Sequence, residues 1–289
     1  MATDLPAPAG RIAVIAGGGA LPVAVVRTLL ARGESPLVAV VAGEAASADF
    51  AAAERFDVAV EDFGPLLARL RKDGIGRVVL AGSIARRPRL FSIRWSLRLL
   101  AGLPRAAANL LGGDDRLLRA VIGVLEANGI HVVGAHEVVP DLLAPQGTMT
   151  RTAPSAGDRR DIEAGAEAAR AIGGLDIGQA AIAIGGRAIA LEGIEGTDGL
   201  LERTAAMRGH GRLAGKTGGV LVKCCKPQQD RRADLPAIGP DTIDAAKAAG
   251  LSGIALDAGQ SFILDFERTV AAADAAGLFI VGIEPGRKP

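Results

Sequence analysis

Alternation between apolar strands and amphipathic helices is the feature that most restricts the fold of this chain. The stretch RIAVIAGGGALPVAVVRTLLARG, residues 11–33, is typical of a strand, a glycine-rich turn and a helix. PLVAVVAG and RVVLAGSI are continuous apolar runs, as expected for parallel strands covered on both faces. Helical patterns in GPLLARLRKDG and DDRLLRAVIGVLEANG separate the strands, and HVVGAHEVV is predicted to be another strand. The order of elements therefore predicts an α/β fold with a doubly wound sheet.

The pattern changes between residues 141 and 158, where DLLAPQGTMTRTAPSAGD is rich in Pro, Gly, Ser and Thr. Beyond it, RDIEAGAEAARAIGG is predicted to be a helix, and QAAIAIGGRAIALEG two strands joined at Gly185-Gly186. Further strands and helices follow in mixed order. We therefore expect a Rossmann-like N-terminal domain with a parallel sheet over residues 1–145, a linker over 146–157, and a C-terminal mixed α/β domain over 158–289.

Composition and charge restrict the function and the compartment. A net charge of +1 over 289 residues argues against a general nucleic-acid binder, whose affinity comes from neutralising phosphates. The two cysteines, Cys224 and Cys225, are adjacent and fit neither a zinc site nor a disulfide framework, so we expect reduced thiols at the end of a strand. MATDLPAPAG lacks the basic start and apolar core of a signal peptide, and no apolar run is long enough to span a bilayer. These features favour a cytoplasmic protein.

The glycine-rich turn AGGGALP follows the first strand. Its candidate ligand contacts are Gly17, Gly18, Gly19, Leu21 and Pro22. Glycines let the backbone approach a phosphate, and the helix N-terminus that follows favours negative charge. The dinucleotide fingerprint, however, has a glycine where Pro22 stands and an acid at the end of the second strand, near which only Glu44 lies. NAD is therefore disfavoured. Two interpretations stay open: the turn binds a nucleotide or its uridine moiety, or it binds no ligand.

Opposite charges are concentrated in LVKCCKPQQDRRADLPAIGP, residues 221–240. Its candidate functional side chains are Lys223, Lys226, Asp230, Arg232 and Asp234. The basic residues could neutralise a pyrophosphate, with arginine binding it through two nitrogens. The carboxylates could hold Mg²⁺ or orient a water molecule. The alternative is a solvated loop whose paired charges contribute little energy.

Acidic residues also gather at two predicted helix starts. In EGIEGTDGLLER, the three acids Glu192, Glu195 and Asp198 are candidate ligands of a hard cation beside Thr197, although Asp198 could simply cap the helix. In GGDDRLLRAV, Asp114 and Asp115 are candidate ligand contacts. Capping and the helix dipole alone would explain one of these two aspartates.

Two further features are His136 and a basic segment. His136 is predicted to lie at the end of a strand, where α/β proteins place ligands. RRPRLFSIRWSLRLLAGLPR, residues 86–105, holds six arginines, the only Trp and no acid. A helix with that pattern could lie on an anionic membrane surface; the alternative is an amphipathic helix buried on one side.

Seven motifs taken in order, from Ile15 to Phe279, carry a resemblance to a known family. They are IAGGGALP, GDDRLLRAV, GAHEV, LDIGQ, EGIEGTD, KPQQDRRADLPAIGPDTI and ADAAGLF. Together they resemble the LpxI-type UDP-2,3-diacylglucosamine pyrophosphatases of lipid A biosynthesis. The resemblance implies a Rossmann-like N-terminal domain and a C-terminal α/β domain of the family's own type. It also implies Mg²⁺-dependent hydrolysis of UDP-2,3-diacylglucosamine to UMP and 2,3-diacylglucosamine 1-phosphate, or lipid X.

The family pattern K-P-x-Q-[DE]-x-R-x-D-L-P assigns roles by resemblance. It falls on Lys226, Pro227, Gln229, Asp230, Arg232, Asp234, Leu235 and Pro236. Asp234 is the first candidate for the metal or the attacking water, since the other acid of the pattern varies between Asp and Glu. Asp230, Arg232 and Lys226 are its expected catalytic partners, and Gln229 and Lys223 are expected to bind substrate. Glu195 and Asp198 are the next candidate metal ligands.

Two other classes of protein stay open at this point. The chain could bind a UDP-sugar or a lipid without catalysis, using KPQQDRRAD as a phosphate clamp. A nucleotide-dependent oxidoreductase is the third alternative. For the pyrophosphatase we expect a cytoplasmic homodimer in peripheral contact with the inner membrane, where the substrate lies.

Overall fold

The computed structural model describes residues 10–84, 114–213, 215–232 and 234–286, with the side chains of 114–116 left out. The Arg-rich segment at 86–105 lies outside this range. The chain divides into two compact units. The first unit consists of Met1–Pro140 and Asp230–Asp234, and the second of Asp141–Gln229 and Leu235–Pro289. The domain limits expected from the sequence stay a prediction.

The described part of the first unit is built around a parallel sheet. Its strands are β1 (Arg11–Ala16), β2 (Leu37–Val41), β3 (Glu54–Val58), β4 (Ile75–Ala81) and β5 (His131–Val133). Its helices are α1 (Leu21–Ala31), α2 (Phe63–Lys72), α3 (Asp114–Ala127) and α4 (Ala135–Val138). The strands lie in the order β3-β2-β1-β4-β5, all parallel, as in doubly wound sheets. The expected parallel α/β architecture of the N-terminal region is confirmed.

Strand β3 was missed by the sequence analysis. Its residues ERFDV place exposed charges at Glu54, Arg55 and Asp57 and bury only Val58. Because β3 lies at the edge of the sheet, charged side chains there are compatible with a strand and protect its open edge.

The prediction that HVVGAHEVV is one strand is wrong beyond Val133. The Glu137 carboxylate accepts a hydrogen bond of 2.7 Å from the backbone N–H of Gly134, which starts helix α4 directly after β5. His136 therefore lies on a short helix and not at the end of a strand.

The described part of the second unit contains a mixed sheet with helices. Its strands are β6 (Gly147–Thr148), β7 (Ala180–Ala183), β8 (Ala188–Leu191), β9 (Val220–Lys223), β10 (Ala237–Ile238), β11 (Gly253–Asp257), β12 (Phe262–Ile263) and β13 (Phe279–Ile283). Its helices are α5 (Ala156–Gly174), α6 (Gly196–Ala206), α7 (Pro240–Ala248) and α8 (Phe266–Ala276). The main sheet has the order β6-β13-β11-β9-β7-β8, and β10 pairs with β12. The expected mixed α/β architecture of the C-terminal region is confirmed.

The centre of this second sheet is parallel and its margins are antiparallel. Strands β9, β11 and β13 run parallel to one another. Every residue of β9 and β11 is buried, as expected for strands covered on both faces. Strand β7 runs antiparallel to both β9 and β8. Lys223 and Asp257 thus end neighbouring parallel strands at the same edge of the sheet.

The hairpin between β7 and β8 confirms the predicted turn. Gly185 and Gly186 have φ values of 65° and 79°, which glycine adopts without strain and which tight hairpins require. The buried Asp161 of α5 accepts a 2.5 Å hydrogen bond from the N–H of Gly186 and so fixes the turn to the sheet. Within the described residues, we find no helix that is both long and apolar enough to cross a membrane.

Candidate active site

The polypeptide that leaves strand β9 is anchored by the buried carboxylate of an ion pair in the second unit. Asp257, only 2% exposed, accepts a 3.0 Å hydrogen bond from Arg170 and another of 3.0 Å from the backbone N–H of Cys225. Burial raises the pKa of the Asp257 carboxyl, and the Arg170 charge opposes that shift. The pair therefore fixes where the charged stretch begins.

The two cysteines lie just past the end of β9, as expected. Cys224 is buried and Cys225 is half-buried. Burial raises the pKa of the Cys224 thiol far above its ordinary value, so this group stays protonated and unreactive. Its position is that of a small apolar side chain in the core.

Lys223, expected to contact substrate, is buried within the second unit. Its Nζ donates a 2.9 Å hydrogen bond to the carbonyl of Ala237, and the residue is 6% exposed. In this structure the ammonium therefore links the end of β9 to the start of β10.

Lys226 and Gln229 shape the next turn. Lys226 Nζ donates to the carboxylate of Asp176 at 2.7 Å, and its backbone N–H donates to Gln229 Oε1 at 3.0 Å. Gln228 adds a 2.8 Å bond to the carbonyl of Gly173 at the end of α5. The expected cation is therefore present and half-buried, with its charge paired.

Asp230 and Arg232 form a two-pronged ion pair in the first unit. Arg232 donates from Nε to Asp230 Oδ1 at 3.0 Å and from its NH2 nitrogen to Oδ2 at 2.8 Å. Its third nitrogen donates to Glu126 Oε1 at 2.6 Å. The Arg232 guanidinium holds the pKa of the Asp230 carboxyl below its ordinary value. Two of the expected catalytic residues thus form one rigid group.

Asp234 is the exposed carboxylate of the segment. Its backbone N–H donates to the carbonyl of Asp230 at 3.4 Å, which ties the two aspartates together. The orientation of Asp230 therefore also affects the position of Asp234.

His136 contacts this same segment through the backbone. The imidazole donates to the carbonyl of Arg231, while its Nδ1 is buried without a hydrogen-bond partner. Burial lowers the pKa of His136, which keeps the ring neutral. A substrate contact was expected here; the described contact is with the segment that carries Asp234.

The glycine-rich turn packs closely against the end of β4. Gly17 N–H donates to the carbonyl of Ala81 at 2.8 Å, and Gly18 N–H donates to that of Ser83 at 2.7 Å. These two amides are therefore not available to a phosphate. Gly19, with φ of 89° and open space around it, and the first turn of α1 are the parts of the turn still open to a ligand.

Pro22 is buried at the start of α1, and Leu21 is half-buried. A Cβ added at Gly82 would lie 2.8 Å from Pro22 Cγ. The contact shows that Pro22 packs against the end of β4, which explains a proline where the dinucleotide fingerprint has glycine.

The acids of EGIEGTD are held by neighbours within the second unit. Glu192, 6% exposed, accepts 2.6 Å hydrogen bonds from Thr197 Oγ1 and from the backbone N–H of Gln179. Glu195 forms an ion pair with Arg203, and a hydrogen bond from its own backbone N–H, followed by that of Arg203, lowers its pKa. Asp198 is exposed in the first turn of α6, where the helix dipole favours a carboxylate.

The described part of helix α3 runs from Asp114 to Ala127, so Asp114 and Asp115 lie on this helix. Their side chains lie outside the description, and their expected role as ligand contacts stays a prediction.

A dedicated protein cage for a metal is not found among the described residues, where no group of three or more His, Cys, Asp or Glu could hold an ion. Mg²⁺ is usually bound by one or two carboxylates together with waters and substrate phosphates. An exposed carboxylate such as Asp234 fits that mode of binding.

The structure divides the expected site residues between the two units. The first unit contains Gly17, Gly18, Gly19, Leu21, Pro22, Asp114, Asp115, His136, Asp230, Arg232 and Asp234. The second unit contains Thr197, Glu195, Asp198, Lys223, Lys226 and Gln229. Sequence reasoning missed Glu126 and Asp257, because an acid late in a helix and an acid at a strand end look like ordinary solvated or capping residues.

Comparison with known proteins identifies the class to which this chain belongs. The family described as LpxI N-terminal domain matches residues 11–142, and that described as LpxI C-terminal domain matches residues 145–281. The chain belongs to the LpxI family, which confirms the resemblance found in its motifs.

One curated relative matches almost from end to end. It is the UDP-2,3-diacylglucosamine pyrophosphatase LpxI of Caulobacter vibrioides, 38% identical over 286 residues, or 96% of this chain and 99% of that protein.

Two solved structures are weakly similar. The precorrin-6A reductase CobK is 12% identical with a TM-score of 0.36, covering 97% of this chain and 90% of its own. A UDP-glucose 4-epimerase of Thermus thermophilus, solved with NAD, is 15% identical with a TM-score of 0.31, covering 95% and 86%. Neither likeness bears on the fold or the function of this chain.

Proposed function

We propose that this chain hydrolyses the pyrophosphate of UDP-2,3-diacylglucosamine, releasing UMP and 2,3-diacylglucosamine 1-phosphate in lipid A biosynthesis. The observation that carries the proposal is 38% identity to a pyrophosphatase of that name over 96% of this chain and 99% of the relative. Such coverage includes both family domains and the whole KPQQDRRADLP segment.

The chemistry of the segment supports a phosphoryl transfer. Such reactions need positioning and charge neutralisation more than covalent help from the protein. Asp234 is exposed, so its carboxylate can orient a water molecule or bind a cation together with the substrate's phosphate oxygens. Arg232 supplies positive charge in the same segment and is held in place by the Asp230 carboxylate. Bound Mg²⁺ would neutralise the charge that develops on the pyrophosphate.

The test is UMP release from UDP-2,3-diacylglucosamine with Mg²⁺ and with EDTA, for wild type, Asp234→Ala and Asp244→Ala. Asp244 is an exposed acid on α7 and is the matched control. We expect metal-dependent release in wild type and in the control, and loss in Asp234→Ala by about a hundredfold or more. Tight substrate binding by wild type without UMP release would identify a binding protein and would contradict the proposal.

We also propose that the protein works in contact with a lipid bilayer, from which a diacylated substrate must come. Four large aliphatic side chains of the second unit are exposed and define an apolar patch: Leu175, Ile177, Leu191 and Ile194. The backbones of their two loops touch, since a Cβ added at Gly178 would lie 2.5 Å from the carbonyl oxygen of Glu192.

The neighbourhood of the apolar patch supports a lipid as the occupant. Acids beside the patch are paired, Asp176 with Lys226 and Glu195 with Arg203, so they present little net charge to a bilayer. The Asp176–Lys226 pair also joins the patch directly to the KPQ stretch of the same unit. The homodimer expected from the sequence stays a prediction that sedimentation can check.

A further inference from the structure

The segment 230–234 is attached to three side chains of the first unit that precede it by about a hundred residues. Glu126 accepts the 2.6 Å bond from Arg232, His136 bonds the Arg231 carbonyl, and the positive charge of Arg119 acts on Asp230. We call Glu126, Arg119 and His136 the clasp.

Helix α3 presents two members of the clasp together. Arg119 and Glu126 are seven residues apart, or about two helical turns, so they lie on the same face of α3. That face offers a positive charge to Asp230 and a negative charge to Arg232. Each charge of the Asp230–Arg232 pair therefore has a residue of opposite charge on α3.

Glu126 completes the hydrogen bonding of the Arg232 guanidinium. Asp230 binds Nε and one terminal nitrogen, and Glu126 binds the other terminal nitrogen. A planar guanidinium held at all three nitrogens has its plane fixed as well as its position. Without Glu126, the Asp230–Arg232 pair keeps its internal bonds and the charge of Arg119 beside Asp230, but Arg232 loses its hydrogen bond to α3.

We propose that Glu126 is a positioning residue for the reaction, acting through Arg232 and Asp230 on the turn that carries Asp234. The proposal rests on the proposed pyrophosphatase activity. Both partners of the Arg232–Glu126 pair are about a third exposed, with side-chain exposures of 33% and 38%. Exposed pairs contribute little to global stability. Its removal should therefore change turnover far more than unfolding.

Glu126→Gln tests the proposal, with Glu34→Gln as the matched control. Glu34 pairs with Arg77 at 2.7 Å in the same unit, with similar side-chain exposures of 24% for the arginine and 30% for the glutamate. We expect Glu126→Gln to lower kcat for UMP release about tenfold with little change in KM, because small misplacements of reacting groups are costly. Melting temperatures of the two variants should agree. Equal turnover in the two variants would overturn the proposal.

A double-mutant cycle tests whether Glu126 acts through Arg232. In an Arg232→Met background, which cannot pair with Glu126 and whose own turnover is expected to be reduced, Glu126→Gln should cause no further loss. The same fold loss in both backgrounds would show that Glu126 acts independently and would overturn the assigned role.

Hydrogen exchange supplies a readout that does not depend on activity. Peptides covering 230–234 should exchange faster in Glu126→Gln than in wild type or Glu34→Gln, because an uncharged amide gives Arg232 a weaker hydrogen bond than the carboxylate does. Unchanged exchange would refute the clasp even in an active enzyme. Conversely, faster exchange in a protein that never releases UMP would leave the attachment established and would refute the proposed function instead, and with it the positioning role.

Discussion

Gly18 and Ser83 exchange two backbone hydrogen bonds, Gly18 N–H to Ser83 at 2.7 Å and Ser83 N–H to Gly18 at 3.0 Å. The loops that follow β1 and β4 are therefore joined at the point where the strand order of the sheet reverses. Their close approach explains glycines at 17, 18 and 82 without any ligand. A phosphate bound at this turn could contact only Gly19 and the start of α1, because the amides of Gly17 and Gly18 already donate to backbone carbonyls.

Replacing Gly82 by alanine should destabilise the first unit more than the same change at Gly33. An added Cβ at Gly82 would lie 2.5 Å from the Gly18 carbonyl oxygen, and the φ of 88° is unfavourable as well. Gly33 has a φ of 77° but open space around it. We expect about 2–4 kcal/mol for Gly82→Ala and about 1 kcal/mol for Gly33→Ala, measured by urea unfolding. Equal losses would mean that the two loops move apart freely.

Arg170→Met should destabilise the second unit far more than Arg203→Met. Arg170 is the partner of the almost fully buried Asp257, whereas Arg203 pairs with Glu195 near the surface. We expect about 3 kcal/mol for the first change and at most about 1 kcal/mol for the second, by urea unfolding at about pH 8.

Acidification should relieve the defect of Arg170→Met. The folded-state pKa of Asp257 is raised by burial, so folding favours its protonated form and stability is lost as pH rises through that folded pKa. Without Arg170 the pKa rises further. The deficit relative to wild type should therefore shrink between about pH 8 and pH 5. A deficit that is constant with pH would assign the loss to packing of the arginine stem.

Wild-type protein should lose stability below the ordinary histidine pKa of 6.5 more steeply than His136→Gln. The folded-state pKa of His136 is lowered by burial, so the unfolded chain binds the additional proton. Stability is therefore highest above 6.5 and is lost as pH falls towards the folded pKa. The amide nitrogen of glutamine takes the place of the histidine Nε2, so it can still donate to the Arg231 carbonyl, but it does not titrate. Urea midpoints at about pH 8 and pH 5.5 measure the difference, and parallel pH profiles would contradict it.

Loss of the apolar patch should weaken binding to vesicles of phosphatidylethanolamine and phosphatidylglycerol. Leu175 and Ile194 are 72% and 107% exposed, and a large aliphatic side chain gains about 1.5–3 kcal/mol on full burial. Leu175→Ser/Ile194→Ser should therefore reduce co-sedimentation at least about tenfold. Ile84→Ser, at an exposed isoleucine of the first unit, is the control. A change in oligomeric state with unchanged vesicle binding would assign the patch to a second copy of the chain.

Most of the fold could be predicted because its elements carry local signals. The alternation of apolar runs with helical patterns located β1, α1, β2 and β4 within a few residues. Gly185-Gly186 located the β7–β8 hairpin for the same kind of reason, since the turn needs positive φ angles. Strand β3 was missed because an edge strand with one buried residue has no apolar run.

The candidate site was less accessible to prediction because its contacts join distant residues. The charged segment itself was evident from composition, and Asp230 and Arg232 indeed form a rigid pair. Nothing near Glu126 distinguishes it from a solvated helix residue, since its partner lies 106 positions away. Glycines at 17 and 18 can be explained either by the approach of a phosphate or by close packing of the backbone. The hydrogen bonds of the structure support close packing.

The return of residues 230–234 to the first unit has a consequence for the order of folding. A ribosome completes all the strands of the first sheet before it has made β9, yet Glu126 and His136 must wait for Arg231 and Arg232. Contacts of such long sequence separation form late, because the intervening chain must first be ordered. The segment that carries Asp234 can therefore assume its final shape only after most of the second unit has been synthesised. We expect the sheet of the first unit to form on the ribosome well before this part of the proposed site is in place.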